Sequence, residues 1–162
     1  MPNWCYNQSV FTANEKDLSA LEALFQNMML KAQAEECGQM PPFTQVKEGY
    51  FFDMDWDCDT LYYLTKWSPN TEVLKQIADK YNAGFVQHYE EMGWLIYGET
   101  IYQNGILTDI CLEDIDFEKY QYLEDKDEWL FEGEMYDSDY TILEILLERK
   151  KADLLTNQNA PQ

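Results

Sequence analysis

Asn104-Gly105, set between the β-rich runs 94–102 (WLIYGETIY) and 106–112 (ILTDICL), constrains this chain more than any other pair of residues. A two-residue type I′ turn needs positive φ at both central positions, which Asn and Gly tolerate, so the flanking runs are expected to pair antiparallel. A third run, 85–90 (FVQHYE), enters the same stretch through Glu91-Met92-Gly93. Upstream, strand-like and helix-like periods alternate. Residues 3–12 (NWCYNQSVFT) are aromatic and β-branched and predict a first strand. Asn14 offers an N-cap to a helix over about 15–36, with Leu18, Leu21, Phe25, Met28 and Ala32 at helical spacing; Gly38 and Pro41-Pro42 are its stop signals. Residues 61–67 (LYYLTKW) read as a strand. Ser68-Pro69 reads as an N-cap and first-turn proline for a helix over 70–82, with Val73, Leu74, Ile77, Ala78 and Tyr81 as its buried stripe. This order predicts α+β architecture: a mainly antiparallel sheet with helices packed on one face.

Residues 50–59 (YFFDMDWDCD) alternate from Asp53 onward. As a strand they would place Asp53, Asp55, Asp57 and Asp59 on one face, with Met54, Trp56 and Cys58 on the other. Residues 113–137 carry dense acid among aromatics and show no sustained period, which suggests ordered loop or short irregular strands packed by those aromatics. Ser138 can cap a last helix over about 139–154. The expected division is therefore an α+β domain over 1–112, an acidic extension over 113–155 packed on it and ending in a helix, and a flexible tail over 156–162.

Charge narrows the function. The 162 residues hold 31 acids and 11 Lys and Arg, a net −20, while 46% apolar content still suffices for a packed core. Segment 113–148 alone holds 14 acids and 2 bases, against 16 and 6 in residues 1–112. Such a surface repels phosphate backbones and anionic lipids, so neither direct nucleic-acid binding nor membrane binding is expected. Residues 1–4 show neither the basic nor the apolar region of a secretory leader, and no apolar run approaches membrane-spanning length. With Cys5, Cys37, Cys58 and Cys111 scattered and without a C-x-x-C pair, the expectation is a cytoplasmic protein with reduced thiols.

The same absences argue against an enzyme. His88 is the only histidine, and there is no phosphate-binding glycine loop and no nucleophile elbow. His88 is read as packing or hydrogen-bonding within the sheet rather than as a switch or ligand. An EF-hand starting at Asp53 matches at its first three ligand positions, but Cys58 stands where the turn glycine belongs and Leu64 where the bidentate glutamate belongs. No cofactor and no metal site is expected.

A binding role fits better. Same-face residues of a strand recur at about 6.6 Å, close to two steps of the roughly 3.4 Å rise per nucleotide in a DNA strand. Asp53, Asp55, Asp57 and Asp59 would then offer carboxylates where phosphates go. Glu113, Asp114, Asp116, Glu118, Glu124 and Asp125 extend the candidate surface, followed by Asp127, Glu128, Glu132, Glu134, Asp137 and Asp139. The competing reading is that these acids only keep the protein soluble. The abundant tyrosines admit a contact surface, although most are expected in strands and core.

The opening Met1-Pro2-Asn3-Trp4-Cys5-Tyr6-Asn7 resembles the start of the YubB-type ferredoxin-like proteins carried by plasmids and phages. Trp67-Ser68-Pro69 before a helix, Tyr89-Glu90-Glu91-Met92-Gly93 and Gly98 are similar to that family as well. The resemblance covers residues 1–12 and 60–100. It implies a ferredoxin-like fold and a mobile-element setting, and it supplies no catalytic residues. Combined with the charge, it leads to an expected partner: a basic, nucleic-acid-binding host protein such as a CRISPR or restriction component, inhibited by mimicry in the host cytoplasm. The alternative is an accessory domain that binds a peptide or itself as a homodimer.

Overall fold

Nine residues of alternating burial form the first strand, β1 (Trp4–Thr12), and Asn14 then starts α1 (Glu15–Glu35) by accepting the Asp17 N–H at 2.8 Å. The computed structural model describes residues 2–160 and divides between Asp109 and Ile110 into two units. The first continues through β2 (Phe52–Asp57), β3 (Thr60–Lys66), α2 (Thr71–Lys80), β4 (Gly84–Glu91), a 3-10 turn at Met92–Trp94, β5 (Ile96–Gln103) and β6 (Ile106–Cys111), whose last two residues pass the division. The sheet order is β2-β3-β1-β4-β5-β6. Strand β1 runs antiparallel to both neighbours, with Asn7 opposite Tyr63 on one side and Tyr89 on the other. The first four strands and two helices thus make the β-α-β-β-α-β ferredoxin-like arrangement, with the first strand in the middle. Beyond it, Asn104 and Gly105 have φ of 53° and 78°, the geometry their hairpin requires.

Both helices cover one face of the sheet. Leu21, Phe25 and Met28 of α1 and Val73, Leu74, Ile77 and Ala78 of α2 pack with Phe11, Phe51, Leu61, Tyr63, Phe85 and Tyr102. Phe25 stacks on Trp56 with ring centroids 5.5 Å apart. Among the core aromatics lies a buried polar network. Gln87 donates to Asn7 Oδ1 at 2.9 Å and to the Tyr63 hydroxyl at 3.1 Å, and accepts from the Thr71 hydroxyl at 2.9 Å. Asn7 donates to Thr65 Oγ1 at 2.9 Å, and Tyr63 donates to Asn70 Oδ1 at 2.8 Å. Among the described residues these buried side-chain polar atoms all find partners, as burial demands.

Two helix-end expectations change. The left-handed residue after α1 is Glu36 (φ 51°), not Gly38. Gly38 instead lies against the Phe52 ring, which a Cβ there would meet at 2.4 Å and have to displace. Likewise α2 begins after Asn70 rather than at Ser68-Pro69. The chain turns earlier, at Trp67 (φ 72°), whose N–H donates to the Asn3 carbonyl at 2.9 Å. The Asn70 side chain does not cap the helix but turns inward, accepting from Tyr63 and donating to the Gly49 carbonyl.

In the second unit, α3 (Asp114–Phe117) leads to β7 (Tyr120–Leu123), β8 (Glu128–Phe131), β9 (Glu134–Tyr136) and α4 (Asp139–Gln158). The segment read as aperiodic is an antiparallel three-stranded meander. Its period of two was hidden because each strand has only three or four residues. Register puts Tyr120, Tyr122, Trp129, Phe131 and Tyr136 on one face, and Trp129 meets Tyr120 and Tyr122 at 5.5 and 5.0 Å. Ser138 caps α4 as expected, through the Tyr140 N–H. The helix runs to Gln158, into the segment read as tail, and buries Ile142, Leu143, Leu146 and Leu147.

Candidate functional site

The β2 acids do not form the four-rung ladder that alternation predicts. Phe52 pairs with Leu64 and Asp55 with Tyr62, so β2 carries one extra residue over this span, a β-bulge. Asp53 sits in it with φ 44° and lines the groove beside Gln26, Met29 and Leu30 of α1. Asp59 lies past the strand end, accepting the Thr60 hydroxyl at 2.8 Å. Asp55 and Asp57 alone share the outer sheet face, the one away from α1 and α2. Cys58 stands between acids at the hairpin tip with φ 57°. The Asp57 carboxylate accepts its S–H and holds the thiol above the ordinary cysteine value, which disfavours the reactive thiolate.

In the second unit the acids split into paired and unpaired sets. Lys150 Nζ reaches Glu113 Oε2 at 2.7 Å and Asp116 Oδ2 at 2.9 Å, and Lys119 reaches Asp116 Oδ1 at 2.7 Å. Arg149 grips Glu132 with both terminal nitrogens, at 2.7 and 2.9 Å, while its guanidinium lies over Phe131. Asp127 accepts the Tyr122 hydroxyl at 2.5 Å. Asp114, Glu118, Glu124, Asp125, Glu134 and Asp137 are exposed and have no ion pair among the described residues. Glu128 is half-buried in β8, and Asp139 occupies the first turn of α4, where a carboxylate complements the helix dipole.

A pattern described as the ferredoxin-like domain in Api92-like protein matches residues 48–137. The chain belongs to this family. No curated protein and no solved structure matches it. The Api92-like match runs from the residues before β2 to the end of β9, and so holds every candidate acid except Asp139. It leaves out β1 and α1, although β1 lies between β3 and β4 in the sheet.

Within the Api92-like segment, Asp116 is structural. It is 2% exposed. Burial disfavours its charge, but the Glu113 backbone N–H and the Lys119 and Lys150 ammonium groups prevail and hold the carboxyl at about 2. A carboxyl depressed in the folded state stabilises above its unfolded value near 4, and that contribution is lost as pH falls towards 2. Asp116→Asn is therefore expected to cost about 1–2 kcal/mol of second-unit stability at pH 7. In urea titrations at several pH values, the gap from the unaltered chain closes between about pH 4 and 2; a gap independent of pH would refute the assignment.

His88, as expected, bonds within the sheet: its Nε2 lies 2.8 Å from Glu99 Oε2 on the neighbouring strand. None of the four cysteines is joined in a disulfide. Among the described residues no three His, Cys, Asp or Glu side chains converge to hold a metal ion, and no described helix is long and apolar enough to cross a membrane. Sequence reasoning passed over Trp4 and Tyr6, which lie exposed on the outer face beside Tyr62 and Leu64 of β3. Their signal was the alternation of β1 itself, with Trp4 and Tyr6 set against Cys5, Asn7 and Ser9.

Proposed function

We propose that this Api92-like chain is a non-enzymatic acidic binding protein of phage or mobile-element type. Its partner is a basic, nucleic-acid-binding host defence protein, a CRISPR or restriction component, which it inhibits in the host cytoplasm by nucleic-acid mimicry. The observation that carries this reading is the set of exposed carboxylates with no ion pair among the described residues, Asp55 and Asp57 on β2 and Glu118, Glu124, Asp125 and Glu134 in the second unit, in a chain of net −20. Unneutralised charge at this density repels itself in the folded state, and a basic partner relieves that repulsion. The resemblance to YubB-type proteins of plasmids and phages supports the setting.

The test is capture of host proteins on the purified chain, with washes at low and high salt and with DNA or RNA as competitor. A nucleic-acid-binding protein released by salt is the expected catch, because screening weakens an interface of exposed charges. It should also be displaced by nucleic acid and lost with Glu124→Gln/Asp125→Asn. A partner indifferent to salt and to nucleic acid overturns the proposal.

One observation favours a second reading. β2 is an edge strand, and a bulge with exposed acids is how natural sheets block edge-to-edge pairing. The acids then serve solubility, and the chain binds a peptide or itself. On that reading Asp55→Asn/Asp57→Asn leaves partner capture intact and raises self-association in sedimentation.

A further inference from the structure

The outer face of β2, β3 and β1 is aromatic where a solvent-facing sheet surface is ordinarily polar. Cross-strand pairing sets Trp4 beside Lys66, Tyr6 beside Leu64 and then Phe52, and Gln8 beside Tyr62 and then Asp55; residues opposed in this way share a face. Trp4, Tyr6 and Tyr62 are 40%, 63% and 42% exposed. Strand β1 departs from the usual pattern, with Asn7 and Ser9 buried between Cys5 and Phe11 while Trp4 and Tyr6 lie in solvent. One cation already rests on this face: Lys66 Nζ is 5.0 Å from the Phe52 ring centroid, and Trp4 meets the same ring edge-on at 5.0 Å. Lys66 is the only base in these three strands, while Asp55 and Asp57 supply negative charge at the margin.

We propose that this face docks an arginine-bearing segment of a basic partner protein. Guanidinium planes stack on Tyr6, Tyr62 and Trp4, and Asp55 and Asp57 accept their N–H groups. The inference rests on the reading of the chain as a binder of basic partners, and names the surface and the side chain it takes. Arginine suits the site better than lysine because its planar, weakly hydrated guanidinium stacks on a ring and bonds a carboxylate at the same time. A second copy is a poor occupant: two chains of net −20 repel, and the face offers one base to two acids. Nucleic acid is disfavoured too, for although bases stack on aromatic rings, its phosphates would meet Asp55 and Asp57 with Lys66 alone to neutralise them.

The full chain is titrated by calorimetry with two glycine-spaced synthetic peptides of equal length and charge, one of six arginines and one of six lysines, and with a short oligouridylate. The arginine peptide is expected to bind about tenfold more tightly than the lysine peptide, from two or three cation–π contacts. Tyr6→Ala/Tyr62→Ala alters exposed side chains, and circular dichroism checks that its fold is kept; it should erase the preference for arginine. Asp55→Asn/Asp57→Asn should weaken both peptides. Equal binding of the two peptides, or arginine binding untouched by the tyrosine variant, overturns the docking surface while leaving the acidic-partner reading standing. Oligouridylate bound more tightly than the arginine peptide also overturns it. A tyrosine-dependent arginine preference, in a chain whose captured partner ignores nucleic acid, would keep the surface and remove the mimicry.

Discussion

Without its first 47 residues, the chain is expected to lose the fold of its first unit, although the truncation keeps the whole segment matched by the Api92-like family. Strand β1 is the hydrogen-bonded neighbour of both β3 and β4, so its removal leaves those strands without a common partner. With it go Phe11 and, from α1, Leu21, Phe25 and Met28, all buried. At about 1.5–3 kcal/mol for each large apolar side chain, that loss is on the order of 10 kcal/mol. Whole domains are stable by about 5–15 kcal/mol. Since the second unit can give a signal of its own, hydrogen exchange at the β3 and β4 amides is the measurement to make. Protection is expected in the full chain and its absence in the truncated one. Persistent protection in residues 48–162 would show that the matched segment closes a sheet by another pairing.

This dependence bears on what the sequence made legible. Elements announced by local chemistry emerged where expected: the Asn14 cap, the apolar stripes of both long helices in the first unit, and the Asn104-Gly105 hairpin. Features set by tertiary pairing did not. Nothing in the residue type at Asp53 announces a left-handed bulge, because the extra residue exists only relative to β3. That single insertion removes Asp53 from the face that strict alternation assigned it. Asn70 has the composition of a cap, but a buried Tyr63 hydroxyl competes for its carbonyl oxygen and wins. Strand β1 would mislead any hydrophobic-inward rule, since its inward residues Asn7 and Ser9 are polar and become favourable only when Thr65, Tyr63 and Gln87 surround them. The acids are the opposite case: sequence identifies them all, and only geometry separates Asp116, clamped by two lysines, from Glu124 and Asp125, which are exposed and have no ion pair among the described residues.

Gln87→Leu should be among the most damaging single substitutions despite its apolar replacement. Gln87 is fully buried on β4 and ties together β1, β3 and the first turn of α2. Leucine fills similar space but supplies neither donor nor acceptor. Asn7 Oδ1 then loses its donor, and the Thr71 hydroxyl loses its acceptor. The Tyr63 hydroxyl keeps Asn70 as acceptor, and burial holds it well above the ordinary tyrosine value, so it remains a neutral donor. A buried polar group left without a partner costs about 1–3 kcal/mol, which puts the substitution at about 2–4 kcal/mol in urea unfolding. The decisive comparison is the double variant Asn7→Leu/Gln87→Leu. Removing both partners of a buried hydrogen bond is far cheaper than removing one, so the double should cost clearly less than the sum of the singles. Additive costs would mean that Asn7 and Gln87 contribute independently, and that the polar interior of the sheet does not act as one network. A non-additive result would explain why a fold with aromatic residues to spare keeps amides and hydroxyls at its centre: each is stable there only in the company of the others, and that mutual requirement fixes the register of β1 between its neighbours.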